Sequence, residues 1–399
     1  MRRINGHRQR YAWGSPTVLP QFLRTAADGE PWAELWFGAH PLAPATVAPS
    51  DLALNEAISA DPEGMLGDSV ARAFDGALPY LMKLIAPAEP LSLQVHPTRE
   101  HARECFAAEN AAGLPLDSPE RNYRDANHKP EMVLALEPFE ALCGFRTPRK
   151  AASILEGLEA PLAKRMLALL VSQPSAHGMR AAFRMLVAPA MRPEPAEITV
   201  LANECAARLE SHRSPSPRID RAVALLNEKY PGDPGVAATL LLNPVSLKPG
   251  EAMFVPAGAL HSYLSGFAVE IMASSDNVLR AGITPKKVDA DELLQCVSVT
   301  AAPPIRIAPE RLSDATSAYF APIDDFELST FTSEVRDDSS AQTLVGTGPR
   351  IVLCIEGPLT LETSAGVDTL ERGDAVFIAA SEGQLTVRGQ GRLVQASVP

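Results

Sequence analysis

The segment Leu91-Ser92-Leu93-Gln94-Val95-His96-Pro97 constrains this chain most. Leu91, Leu93 and Val95 alternate with Ser92, Gln94 and His96, so the stretch reads as a strand with one apolar and one polar face. Gln94 and His96 then project side by side, as two ligands offered to a single ion. A second segment, Pro249 to His261, runs Gly250, five residues, Pro256-Ala257-Gly258, two residues, His261. Gly250 suits a tight turn into an apolar strand, and Pro256 with Gly258 turns the chain so that His261 opens the next strand facing inward.

A third segment, Asn127-His128-Lys129-Pro130-Glu131, leads into Met132-Val133-Leu134-Ala135-Leu136. A carboxylate entering so apolar a strand is costly to bury unless a cation meets it. Gln94, His96, Glu131 and His261 together offer two imidazoles, a carboxylate and an amide oxygen. That donor set suits one Zn²⁺ per chain and also accommodates Mn²⁺, Fe²⁺ or Co²⁺. Without thiolates and with room for a further oxygen, it is a catalytic pattern rather than a structural one. The Gly250 to His261 signature is that of cupins, jelly-roll barrels that hold a metal between two sheets. Ser265 stands where that pattern usually ends in Asn.

These segments, with Tyr11-Ala12-Trp13-Gly14, Ala33 to Pro41, Pro138 to Arg146 and Ser275 to Gly282, follow one another in a family order. The chain resembles type I mannose-6-phosphate isomerases (phosphomannose isomerases), zinc-dependent cupins. The resemblance implies interconversion of mannose 6-phosphate and fructose 6-phosphate through a cis-enediolate, feeding mannose metabolism. It implies Arg280 as an active-site residue, holding the phosphate bidentately or stabilising enediolate charge. His128 and Lys129 are basic candidates for proton transfer, and Glu270 and Asp276 acidic ones. Ser92, Lys83 and Tyr263 are expected to line the sugar-phosphate pocket. Two other readings stand beside it: an isomerase of the same fold with a different sugar preference, and a non-catalytic sugar-binding cupin.

The fold expected is mainly β with a helical insertion. A catalytic cupin unit covers 1–147 and 239–315, helices fill 148–238, and a second, metal-free jelly roll covers 316–399. Arg372-Gly373-Asp374-Ala375-Val376-Phe377-Ile378-Ala379 echoes Pro249 to Pro256, but Gln384 replaces His261 at the corresponding place. A net charge of -12 argues against nucleic acid and anionic membranes as partners. The N-terminus lacks the apolar core of a secretory leader. Five scattered cysteines without C-x-x-C spacing fit buried apolar residues in a reducing cytoplasm, not a disulfide or thiolate–metal framework. A monomer is compatible with all of this. His7, His40, His101, His177 and His212 stay outside the expected site.

Overall fold

The computed structural model describes residues 1–334 and 341–399. Two sheets enclose the three signature segments. The first orders its strands Ile305–Ile307, Ala252–Val255, Glu131–Ala135, Ala268–Ala273, Tyr80–Ile85, Glu34–Gly38 and His7–Gln9. The second orders them Leu242–Leu247, Phe139–Phe145, His261–Ser265, Leu93–Val95 and Leu279–Gly282. Their inner faces share one core, in which Val133, Ala135, Met253 and Val255 of the first meet Phe139, Ala141, Val245 and Tyr263 of the second.

Both sheets are also covered outside, which is why their strands read as nearly continuous apolar runs. The outward Leu93, Val95, Leu142, Phe145 and Leu279 pack against helices Pro148–Leu155, Pro161–Ser172, Ala176–Val187, Pro195–Glu210 and Pro217–Lys229. Four of these begin with proline, whose missing N–H costs nothing in a first turn and whose φ already suits a helix. Within the bundle, Arg208 and Asp220 form a buried bidentate pair, Nε–Oδ2 2.6 Å and Nη2–Oδ1 2.6 Å. The third arm of Arg208 donates to Ile154 O at 2.7 Å, so each nitrogen of the guanidinium has a partner.

The outward face of the first sheet (Phe37, Met82, Leu84, Met132, Phe254, Ile271) packs on Ile351, Leu353, Phe377 and Val394 of a third sheet. That sheet is built mainly from residues after 310, but Arg2–Asn5, Thr46–Val47 and Leu52–Ala53 complete its edge. Arg2 pairs with Phe377 and Ile4 with Ala375, so the boundary expected at residue 316 is crossed by the opposite end of the chain. Its inner face meets a four-stranded sheet over Leu344, Leu359, Leu361, Leu385 and Val387. The echo seen in the sequence is structural: Gly250 and Gly373 take φ of +85° and +94°, and each precedes an apolar strand.

Asp220→Ala leaves the Arg208 guanidinium buried and unpaired. The variant is expected to lose about 3–5 kcal/mol, measured as a lowered melting transition with the helical signal lost first.

Candidate metal centre

His261 opens its strand beside Gln94, its cross-strand partner. His96 lies just past the end of the strand Leu93–Val95. Glu131 begins its own strand on the facing sheet, pairing with Val255 and Met272. The turn before His261 is tied to the His96 segment by a hydrogen bond from Gly258 N to His96 O, 2.8 Å. Gly258 has φ +81°, and a Cβ there would meet Cys296 O at 3.3 Å, so both its conformation and its surroundings call for glycine.

Two backbone carbonyls orient the imidazoles. His96 Nδ1–H donates to Asn277 O at 2.7 Å, and His261 Nδ1–H donates to Ala259 O at 2.9 Å. Each ring therefore carries its lone pair on Nε2. Those atoms lie 3.2 and 3.3 Å from the two oxygens of Glu131. His96, Glu131 and His261 are 1%, 1% and 0% exposed. Burial pushes the His96 imidazole down to about 4, so it is neutral near pH 7. Burial would raise Glu131, but its cationic surroundings, the Lys129 ammonium among them, outweigh it and hold the carboxyl well below its usual range. Two lone pairs thus face a carboxylate in a dry interior, and His96 Nε2 has no hydrogen-bond partner. A divalent cation resolves that conflict. Gln94 completes the set: its amide lies 3.3 Å from His261 Nε2, and turning the amide over presents Oε1 to the same point. Two nitrogens and two oxygens fit Zn²⁺.

Gln94 and Glu131 line a cleft of about 950 Å³ walled by Tyr11, Trp13 and Trp36, while His96 and His261 are buried away from it. Lys129 Nζ is 3.3 Å from Glu131 Oε1. Lys83, in register with Trp36 on one side and Glu270 on the other, places Nζ 3.2 Å from Glu270 and 3.7 Å from Glu34. Burial lowers the Lys83 ammonium, yet Glu34, Glu270 and Glu131 outweigh it and raise its pKa. Arg280 is in register with Gln94, beside the ligands. Among the described residues its guanidinium makes no hydrogen bond or ion pair, and burial lowers its pKa.

Residues 1–148 match the family model for the catalytic domain of type I phosphomannose isomerase, and residues 318–398 that for the mannose-6-phosphate isomerase cupin domain. The chain is 38% identical to the mannose-6-phosphate isomerase of Escherichia coli K12 over 99% of both chains. It is 32% identical to the human one, over 94% of this chain and 92% of that one. The chain belongs to the type I phosphomannose isomerase family. The crystal structure of the Salmonella typhimurium mannose 6-phosphate isomerase bound to fructose 6-phosphate and zinc superposes with a TM-score of 0.89, at 37% identity, covering 100% of this chain and 99% of that one.

Most residues expected from the sequence converge at this site. Ser92, Lys83, Gln94, Lys129, Glu131, Tyr263, Glu270, Asp276 and Arg280 all border the cleft. Tyr263 donates to Glu131 Oε2 at 3.4 Å. Asp276 lies toward the mouth, 3.6 Å from Arg124. His128 does not join them. Its Nε2 lies 3.0 Å from Asp325 Oδ2 and it also contacts Arg99, so it is spent on anchoring the C-terminal part of the chain.

Several residues were missed. Glu34 accepts from Trp36 Nε1 and faces Lys83. Lys286 borders the mouth with Arg280 and Arg124, and burial lowers its pKa. Asn277, fully buried, donates from Nδ2 to Asp125 O (2.8 Å) and Asn127 O (2.9 Å), fixing the carbonyl that holds His96. A buried-looking Asn beside Arg280 was the only signal for it.

His261→Ala removes one of two imidazoles. The variant is expected to lose zinc from this site, read by metal analysis of the purified protein, while its circular dichroism stays that of the parent.

Proposed function

We propose that this chain is a metal-dependent aldose–ketose isomerase that interconverts mannose 6-phosphate and fructose 6-phosphate. The observation that carries the reading is the His96–Glu131–His261 cluster, whose Glu131 lines a cleft shared with Lys129 and Arg280, in a chain alike over its full length to mannose-6-phosphate isomerases. Gln94, His96, Glu131 and His261 would hold the ion. A Zn²⁺ bound there supplies Lewis-acid stabilisation of negative charge on the sugar oxygens.

The remaining work falls to the chain's own groups. The aromatic wall of Tyr11, Trp13 and Trp36 keeps water from the sugar. Lys129 adds a positive charge beside Glu131, where charge develops on the substrate. Arg280 and Lys286 take the phosphate dianion, with Ser92 as a neutral donor. Glu270 carries the carbon-bound proton: it leaves C2 of the aldose for the carboxylate and is returned to C1, while the hydroxyl proton of O2 passes to O1. Burial pushes the Glu270 carboxyl up to about 6, a value suited to a general base near neutral pH. Lys83, 3.2 Å away, holds that carboxylate in place.

Residues 1–147 and 239–315 form the catalytic unit in this reading, with 148–238 and 316–399 bracing its two outer faces. No helix among the described residues is long and apolar enough to cross a membrane. Five free cysteines and the charge of -12 support a cytoplasmic setting and a small-molecule partner.

A coupled assay with mannose 6-phosphate tests the reading: turnover is expected to vanish with chelator and return with Zn²⁺. No turnover by the zinc-loaded protein overturns it. For the base, turnover is expected to fall on the acidic side, because Glu270 is protonated below its pKa, with the limb at or below about 6; a neighbouring dication draws it lower. Glu270→Gln is expected to reduce kcat by about 10²–10⁴-fold and to abolish that limb. An unchanged limb in the variant assigns the proton to another group.

A further inference from the structure

A second group of metal-binding side chains lies outside the cleft. The helices Arg99–Ala111 and Ala290–Cys296 each carry a ligand pair at i, i+4 spacing: His101 with Cys105, and Glu292 with Cys296. That spacing puts both members of a pair on one face. The two faces meet. His101 Nε2 is 2.6 Å from Glu292 Oε1, Cys296 Sγ 3.6 Å and Cys105 Sγ 3.9 Å from the same oxygen, and Cys105 Sγ 3.6 Å from His101 Nε2. The Tyr123 hydroxyl also donates to that oxygen and lies 3.3 Å from Cys296 Sγ. Four donors therefore converge on one carboxylate oxygen, which has two lone pairs. The sequence suggested apolar, buried cysteines; Cys105 and Cys296 are instead half-buried and face charged and polar groups.

From this convergence we infer that His101, Cys105, Glu292 and Cys296 form a structural zinc site, separate from the isomerase centre. A tetrahedral zinc with bonds of about 2.0–2.3 Å has ligand–ligand edges of about 3.3–3.8 Å. His101, Glu292 and Cys296 hold their ligand atoms within 4.8 Å of one another. The Cys296–Glu292 and Cys105–His101 contacts, both 3.6 Å, already match such an edge. The His101–Glu292 pair has to open, and Cys105 closes onto the ion from the neighbouring helix. Two thiolates, an imidazole and a carboxylate are a closed donor set for Zn²⁺. Coordination releases the two thiol protons to solvent and frees the Tyr123 hydroxyl to donate to the Cys296 thiolate. The ion clasps the helix that follows His96 to the helix that follows Arg280, so it braces both flanks of the catalytic strands.

The two sites are separable by ligand chemistry, since only this one contains sulfur. The full-length protein is expected to hold two zinc ions per chain. The Cys105→Ser/Cys296→Ser variant and the His261→Ala variant are each expected to hold one. Cobalt-substituted wild type and His261→Ala are expected to show a thiolate-to-cobalt charge-transfer band that the double variant lacks. Should the double variant not fold, the band in His261→Ala decides the matter by itself. A single zinc per wild-type chain with no such band overturns the inference, as does a Cys105–Cys296 disulfide in the protein purified under non-reducing conditions.

Discussion

The structure depends on a carboxylate buried between two imidazoles. Glu131 is nearly solvent-free, and its oxygens lie 3.2 and 3.3 Å from the Nε2 atoms of His96 and His261. Such a carboxylate costs several kcal/mol to bury unless cations surround it. The surrounding protein is arranged to meet that demand. Lys129 faces Glu131 directly, two carbonyls fix the imidazole tautomers, and the fit to a dication supplies the remaining charge. Replacing any one of these would leave the others facing like charges or bare lone pairs.

Holding four donors at one point requires that neither sheet move relative to the other. Both are packed on both sides: helices cover the strand that carries Gln94, and the C-terminal sheet covers the strand that carries Glu131. The first residues of the chain lock the latter arrangement, because Arg2–Asn5 pair with Ala375–Ile378 while His7–Gln9 pair with Glu34–Gly38. One short N-terminal segment thereby stitches two sheets together. His128, held by Asp325, adds a polar tie across the same boundary. Charge follows a similar logic: in a chain of net charge -12 the cleft interleaves acids with bases, and while Lys83 and Lys129 are tied to carboxylates, Arg280 and Lys286 are left to meet an anion.

Much of the site was legible because its signals are local. Gln94 and His96 share a face through strand alternation, and Gly250, Pro256 and Gly258 place His261 through a short turn. Residues whose role depends on distant partners were not legible. His128 sits one residue before Lys129 in the sequence, yet Asp325, 197 residues away, draws it out of the cleft. Glu34 and Lys286 acquire meaning only beside Lys83 and Arg280. The pairs His101/Cys105 and Glu292/Cys296 are visible as spacings, but nothing local brings the two helices together.

The sequence by itself therefore determined the jelly-roll strands, the helical insertion and the four candidate ligands, since alternation, turn chemistry and proline-started helices act over a few residues. Only the tertiary structure decided which cations stand unpaired, which carboxyl is pushed up toward neutrality, and which end of the chain completes the C-terminal sheet. Those outcomes depend on burial and on charges brought close from remote positions, and neither quantity exists until the chain has folded.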